Sequence, residues 1–396
     1  MKYAVILGDG MADYPIKELG DRTPLMCARK PGMDFIAQNA ASCGLCQTTV
    51  DGLPAGSDVA NLSVLGYDPT IYYTGRGPLE AGSMGVPLKK GDIAFRCNLI
   101  TAEQGLIKDY SADHISSEEA ARLIRCLDER LGSATVHFYP GISYRHLLVM
   151  ENFTPATICT PPHDVVGCPV QEYLPKGEGC QQLIKLIAES QEILESHPVN
   201  VERKAAGKGL ANSIWPWGQG KTPAMPSFRE KFGLDGAVIS GVDLVKGLGV
   251  FAGLEVVNVP GATGYLDTDY KAKAEYALKT LEKKDFVFIH VEAPDEAGHE
   301  GLRDEKIRAI EEIDRHIVCR LLDDMKQFGD FRLLVLPDHP TPLAVKTHTR
   351  DPVPYAIYDS RVAHKSARKY DERSMADGLF IKPGHRLMGL FINENL

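Results

Sequence analysis

No stretch of about 18 uninterrupted apolar residues, the length a helix needs to span a bilayer, occurs in this 396-residue chain, so no membrane-spanning helix is expected. The opening MKYAVILGDGMADYP leaves its apolar run too early for a signal peptide and reads as a first core strand, which makes the cytoplasm the expected address. A basic surplus is missing as well. The formal net charge is -9 and the isoelectric point about 5.8, which argues against nucleic acid or an anionic membrane as partner, because both reward clustered Lys and Arg. An anionic metabolite would have to be met locally, by metal ions and a few Arg. A disulfide framework is absent too: the nine cysteines are odd in number and irregular in spacing, as in a reducing compartment. Cys43 and Cys46 form a C-x-x-C, but with no second pair to complete a zinc site they read as incidental thiols.

What is present is the composition of a globular protein, 44% hydrophobic and 24% charged, on a chain longer than one ordinary core uses. Two domains, or one domain with an insertion, are expected. Tyr3 to Leu7 is an apolar run emptying into Gly8-Asp9-Gly10. Asp285 to Val291 leads in the same way into Glu292-Ala-Pro-Asp295, and Arg332 to Leu336 into Pro337-Asp338-His339. Helices are expected over Asp269 to Lys284 and, from apolar residues at three- and four-residue spacing, over Leu302 to Phe328. Strand, helix, strand alternation predicts a parallel α/β sheet, whose ligands gather at the carboxyl ends of its strands.

The middle of the chain differs. Helices are expected from Ser116 to Leu131, opened by the capping box Ser116-x-x-Glu119, and from Gly179 to Ser196, with short strands at Thr135 to Tyr139 and His146 to Met150. The segment Asn212 to Lys221, which holds both Trp, reads as a junction. The domain expectation is therefore a split main domain, residues 1–88 and 222–396, interrupted by a smaller α/β insertion at 89–221.

Asp9, Asp295 with His299, Asp338 with His339, and His348 are oxygen and imidazole donors in or near the strand-end positions. This mixture suits Mn²⁺, Mg²⁺, Co²⁺ or Zn²⁺. Asp295-x-x-x-His299 places two donors one helical turn apart on one face. In Asp51-Gly-Leu-Pro-Ala-Gly-Ser57, Pro54 and Gly56 break the chain, so Ser57 is expected at a helix N-cap, where backbone N–H groups and the dipole favour an anion. On this segment alone, Ser57 reads as an ordinary helix cap. Beside a dication, its hydroxyl would have a lowered pKa and become a nucleophile.

The order of Gly-Asp9-Gly, Leu53-Pro-Ala-Gly-Ser57-Asp-Val-Ala-Asn-Leu, Pro294-Asp295-x3-His299, Asp338-His339 and Thr347-His348-Thr349 resembles the alkaline-phosphatase superfamily. Gly66-Tyr-Asp-Pro69, Tyr72 to Ala81, Phe95-Arg96-Cys-Asn98, Tyr139-Pro-Gly-x-Ser-Tyr-Arg145-His146 and Trp215-Pro-Trp217 are similar to the archaeal-type cofactor-independent phosphoglycerate mutases. The likeness spans nearly the whole chain. It implies a three-layer α/β sandwich of alkaline-phosphatase type around a mostly parallel sheet. It implies one ion on Asp295, His299 and His348 and a second on Asp9, Ser57, Asp338 and His339, with Mn²⁺ the first candidate and Mg²⁺, Co²⁺ and Zn²⁺ left open. Ser57 would carry a phosphoryl group as 3-phosphoglycerate and 2-phosphoglycerate interconvert, in glycolysis or gluconeogenesis.

The insertion is expected to act as a lid against water and to hold the substrate's anionic groups with Arg96, Arg145 and Lys221, and less strongly with His114 and His163. Two alternatives stay open: a homoserine-kinase-like phosphotransferase on the same machinery, and a phosphatase. A homo-oligomer is compatible with all of this. A dinucleotide enzyme built on Gly8-Asp9-Gly10 is disfavoured, because the third glycine of the fingerprint is missing.

Overall fold

The structure, a computed structural model, describes residues 1–362 and 364–393. In chain order its strands are β1 (Lys2–Gly8), β2 (Ala40–Cys46), β3 (Ile93–Glu103), β4 (Leu106–Asp109), β5 (Val136–Tyr139), β6 (Arg145–Met150), β7 (Ser213–Gly220), β8 (Gly236–Ile239), β9 (Glu255–Val256), β10 (Phe286–Val291), β11 (Phe331–Leu336), β12 (Val353–Asp359) and β13 (Leu379–Ile381). They divide between two compact units, Met1–Tyr73 with Ala224–Leu396, and Thr74–Pro223.

The first unit holds an eight-stranded sheet in the order β13-β2-β12-β11-β1-β10-β8-β9. Strands β1, β10 and β11 are almost wholly buried apolar runs, the composition of central parallel strands covered on both faces. Alternate residues serve the two faces. Ala4, Ile6, Val287, Ile289, Leu333 and Val335 pack on the helices Pro31–Gln38, Tyr270–Leu281 and Arg303–Ile313. On the other face, Tyr3 meets Phe391 edge-on at 5.6 Å and Phe286 stacks on Phe228 at 4.4 Å. There the helix Asp243–Phe251 approaches so closely that a Cβ at Gly249 would stand 2.3 Å from Val238. The result is a three-layer α/β sandwich around a mostly parallel sheet.

Register decides what meets at the end of this sheet. Strand β1 runs parallel to both β10 and β11, with Leu7 opposite His290 on one side and Leu336 on the other. The residues that follow these three strands therefore emerge side by side. Strand β12 is antiparallel to β11, and β2 to β12, with Val353 opposite Cys46. The start of β12 and the end of β2 thus lie at the same edge. All nine cysteines are free, and Cys43 and Cys46, three apart on β2, fall on opposite faces.

The helix expected over Leu302 to Phe328 is interrupted. It runs as Arg303–Ile313, a π turn at Asp314–Val318, Cys319–Asp324 and a 3-10 turn at Met325–Phe328. The π turn falls where buried Asp314 accepts from the backbone N–H groups of Gly32 (3.1 Å) and Met33 (2.6 Å) at the start of Pro31–Gln38. Lys306, fully buried in the same helix, donates to Asp13 Oδ2 (2.7 Å) and to the carbonyl of Thr341 (2.8 Å). It ties the loop after β1 to the loop after β11.

The second unit is built on antiparallel pairs, in the order β4-β3-β6-β5 with β7 also along β3. The helices Ser117–Leu131 and Cys180–Glu195 bury Leu123, Leu127, Leu183 and Ile187 against Phe95, Cys97 and Leu148. The expected capping box is half made. Ser116 accepts from Glu119 N–H, but the Glu119 carboxylate accepts from Ser116 Oγ and pairs with Arg203 at 2.9 Å.

Asn212 to Lys221 is not a junction. It contains strand β7, with Trp215 and Trp217 buried. Pro216, which lacks an N–H, is tolerated because among the described strands β7 pairs with β3 alone. Helix Arg76–Ser83 precedes the boundary expected at residue 88 but lies in the second unit, because it packs on β3 and β7. A Cβ on Gly77 would come within 2.3 Å of the Ala94 carbonyl. Among the described residues, no helix is long and apolar enough to cross a membrane.

Candidate metal centre

The three neighbouring strand ends deliver the acidic residues to one place. Asp9 follows β1, Asp338 and His339 follow β11, and Asp295 lies in the helix Ala293–Glu300 that follows β10. In that helix Asp295 and His299 do share a face, with His299 Nε2 3.1 Å from Asp295 Oδ2. His348, in the segment before β12, brings its Nε2 to 3.6 Å from Asp295 Oδ1 and 3.0 Å from His299 Nε2. Nδ1 of His299 donates to the Lys346 carbonyl at 3.0 Å, which fixes the ring with Nε2 turned toward these neighbours.

A second convergence surrounds His339 Nε2. Ser57 Oγ is 3.1 Å away, and Asp9 Oδ1 and Asp338 Oδ2 are each 3.5 Å away. Asp338 Oδ1 accepts from the backbone N–H groups of Gly10 (3.2 Å) and His339 (2.9 Å), which orient the carboxylate. The two groups adjoin: the rings of His339 and His348 lie 4.0 Å apart, and Thr341 Oγ1 contacts both Asp295 Oδ1 and His339 Nδ1.

Ser57 is not the N-cap. Gly56 takes that position in extended conformation, and Ser57 is the first residue of the helix Ser57–Val64. Its hydroxyl makes no capping bond to its own helix and faces His339 instead. The Ser57 oxygen is thereby left available, whereas that of a serine used as a cap would be engaged.

The electrostatics test whether cations fit here. Asp9, Glu292, Asp295 and Asp338 crowd together, and Asp9 Oδ1 is buried with no hydrogen-bond partner. Burial, then the charges of Asp338, Glu292 and Asp295, push Asp9 well above the usual carboxylate range. Burial lifts Asp338 to about 6. Asp295 goes the other way: burial opposes its charge, but hydrogen bonds from His299 and His348 outweigh it and hold the carboxyl well below its ordinary value. His299, although partly desolvated, is raised to about 9 by that same carboxylate. Without a cation, protons take up the excess negative charge. Oxygen and imidazole donors in two groups of three and four fit two divalent ions.

Sequence reasoning missed several residues here. His290 Nε2 lies 2.8 Å from Asp9 Oδ2 and 3.5 Å from Glu292 Oε2, fully buried within the apolar run of β10. Burial, and after it the charge of Lys273, lowers His290 to about 3, so its contact with Asp9 is a hydrogen bond from a neutral imidazole rather than an ion pair. Asn61, one turn after Ser57, donates to Ser57 O (2.9 Å) and Asp338 Oδ2 (2.7 Å). The signal for Asn61 was its i+4 spacing from Ser57. His290 had only its polarity inside an apolar strand.

On the second unit, Arg96 and Trp217 are register partners, as are Asn98 and Arg145, so these residues share the face of β3 opposite Phe95 and Cys97. The Arg96 guanidinium pairs with Glu80 at 2.8 Å and lies 5.0 Å from the Trp217 ring, over which Arg76 also stands, at 5.6 Å. Its Nε is buried without a hydrogen-bond partner. His163 meets Trp217 at 5.2 Å, Arg145 lies over Tyr144 at 5.6 Å, and His114 meets Tyr144 at 6.1 Å. Four of the five expected substrate residues therefore belong to one guanidinium and aromatic patch. Lys221 is exposed, and its carbonyl accepts from Thr74 Oγ1 at 2.6 Å.

Residues 38–200 match the family model described as 2,3-bisphosphoglycerate-independent phosphoglycerate mutase. The chain is 55% identical over 396 residues to the protein of that name from Methanosarcina barkeri, covering 99% of each chain. It is 51% identical over 397 residues to the protein named mutase 2 of the same kind from Methanothermobacter thermautotrophicus, covering 99% of this chain and 98% of that one. Among solved structures, a Pyrococcus horikoshii protein matches with a TM-score of 0.82 at 30% identity, over 98% of this chain and 96% of that one. The cofactor-independent phosphoglycerate mutase of Thermoplasma acidophilum matches with a TM-score of 0.67 at 28% identity, over 99% of both.

Proposed function

The chain belongs to the 2,3-bisphosphoglycerate-independent phosphoglycerate mutase family, and from that premise we propose that it interconverts 3-phosphoglycerate and 2-phosphoglycerate with Ser57 as the phosphoryl carrier. The observation that carries the reading is the convergence of Ser57 Oγ, Asp9, Asp338 and His339 beside Asp295, His299 and His348. Asp295, His299 and His348 would hold one divalent ion, and Asp9, Ser57, Asp338 and His339 a second, with Mn²⁺ favoured over Mg²⁺, Co²⁺ and Zn²⁺. When bound, the ions supply the positive charge that lowers the pKa of the Ser57 hydroxyl and neutralises the phosphoryl oxygens.

Ser57 Oγ attacks phosphorus, the phosphorus–oxygen bond to glycerate breaks, and the departing oxygen gains the proton that Ser57 loses. Attack by the other glycerate hydroxyl on phosphoserine reverses the exchange, so no added bisphosphate is consumed. The N-terminus of Ser57–Val64, with Gly56 as its N-cap, presents the positive end of the helix dipole to the phosphoryl group. On the second unit, Arg96, Arg145, His114 and His163 form a patch suited to a carboxylate or phosphate, and Lys221 is a further candidate for the same role. The corresponding setting is cytoplasmic glycolysis or gluconeogenesis, with small anionic substrates and neither nucleic acid nor membrane as partner.

The test is to supply 3-phosphoglycerate and Mn²⁺ and couple product formation to enolase. Signal without added bisphosphate is expected. Release of inorganic phosphate alone, or transfer only to an alcohol such as homoserine, would replace the mutase reading with one of its alternatives.

A further inference from the structure

We propose that His290 is a positioning residue that holds Asp9 with a single oxygen turned toward Ser57 and His339. The proposal rests on the reading of Asp9 as a metal ligand and adds to it a residue outside the ligand set. In the sheet β10 lies between β1 and β8, so a side chain near its carboxyl end bridges both neighbours. His290 does so: Nε2 is 2.8 Å from Asp9 Oδ2, after β1, and Nδ1 is 3.2 Å from Ser240 Oγ, after β8.

The direction of these bonds follows from Ser240. Its oxygen accepts from Val242 N–H at 2.9 Å, and its proton has Val242 O at 3.4 Å or His290 Nδ1 at 3.2 Å to go to. Donation to Nδ1 places the imidazole proton on Nε2, where it meets a carboxylate oxygen; the other tautomer would set a lone pair against that oxygen. Asp9 Oδ2 is thereby occupied. Oδ1, buried and without a hydrogen-bond partner, is left facing His339 at 3.5 Å.

Asp9, His290 and Glu292 also form a group close enough to hold an ion. The structure assigns that place to hydrogen bonding instead. A positive charge already stands beside this group, the buried Lys273 ammonium, which donates to the His290 carbonyl at 2.8 Å.

The experiment is a Mn²⁺ titration of the metal-stripped full chain, followed by electron paramagnetic resonance and calorimetry, with circular dichroism of each variant. Asp9→Asn should abolish one of two sites; if both remain, the ligand reading fails on its own. His290→Phe, which fills the space but donates nothing, should weaken that same site by about 10- to 100-fold and leave the other unchanged. His290→Gln, which keeps a donor, should recover part of the loss. Ser240→Ala, a milder change that keeps the fold testable should His290→Phe not fold, should weaken the site several-fold. Wild-type affinity in both His290→Gln and Ser240→Ala, or a third Mn²⁺ equivalent removed by Glu292→Gln, overturns the proposal.

Discussion

The two units handle charge in opposite ways. At the strand ends of the first unit, four carboxylates are gathered where burial makes their charge costly, and imidazoles with the buried Lys273 and Lys306 offset it incompletely, so that Asp9, Glu292 and Asp338 are pushed up. On the outer face of β3 in the second unit, Arg76, Arg96 and Arg145 share a patch with Glu80 and aromatic rings. One region is short of positive charge and the other of negative charge. On the proposed function, a chain of net charge -9 would meet an anionic substrate through local arrangement, and the global field says little about the site.

The sharpest way to test the first region is Ser57→Ala. Turnover of phosphoglycerate should fall by about 10⁴-fold or more, as for loss of a covalent nucleophile, while Mn²⁺ content stays largely intact. Full activity in the coupled assay would refute the role of Ser57. Lys306→Met removes the buried cation behind the site and leaves Asp13 unpaired, which should cost about 3–5 kcal/mol in urea unfolding. An unchanged midpoint would show that the pair contributes nothing net.

For the second region, Arg96→Ala leaves Glu80 without its partner. It should weaken direct binding of 3-phosphoglycerate by about 10- to 100-fold, the worth of a charge-assisted hydrogen bond, and leave Mn²⁺ affinity alone. Loss of Mn²⁺ affinity instead would erase the division between the regions.

The smallest effect expected concerns a buried carboxylate of the first unit outside the two donor groups. Burial raises Glu372, which accepts from Asp13 N–H and Thr23 Oγ1, to about 7. The native state therefore keeps its proton where the unfolded chain has lost it. Stability from this group is full below the ordinary value of 4.5 and is lost as pH rises through about 7. Glu372→Gln should flatten the stability profile across that window. An identical slope in the variant would place the titration elsewhere.

Much of the site was legible because its logic is local. An apolar run followed by an acid marks a strand end, and the four-residue spacing of Asp295 and His299 needs only a helix to bring them together. Other parts were not. His290 looks like one more residue of a buried strand, and its use depends on Ser240 and Asp9 from two neighbouring strands. Gly56 and Ser57 both follow a chain break, and composition does not say which begins the helix. Around Pro216 the sequence has the look of a turn, whereas pairing along β3 makes it an edge strand.

By itself, then, the sequence determined which side chains end strands and which donors are available, since burial of alternating or continuous apolar residues is written in the order of neighbours. Only the tertiary structure decided which of them meet. Ser57 and His339 are 282 positions apart, and the strands that precede them, β2 and β11, are joined through β12 in fixed register. Backbone hydrogen bonds between strands set that register, and no local pattern encodes the partner.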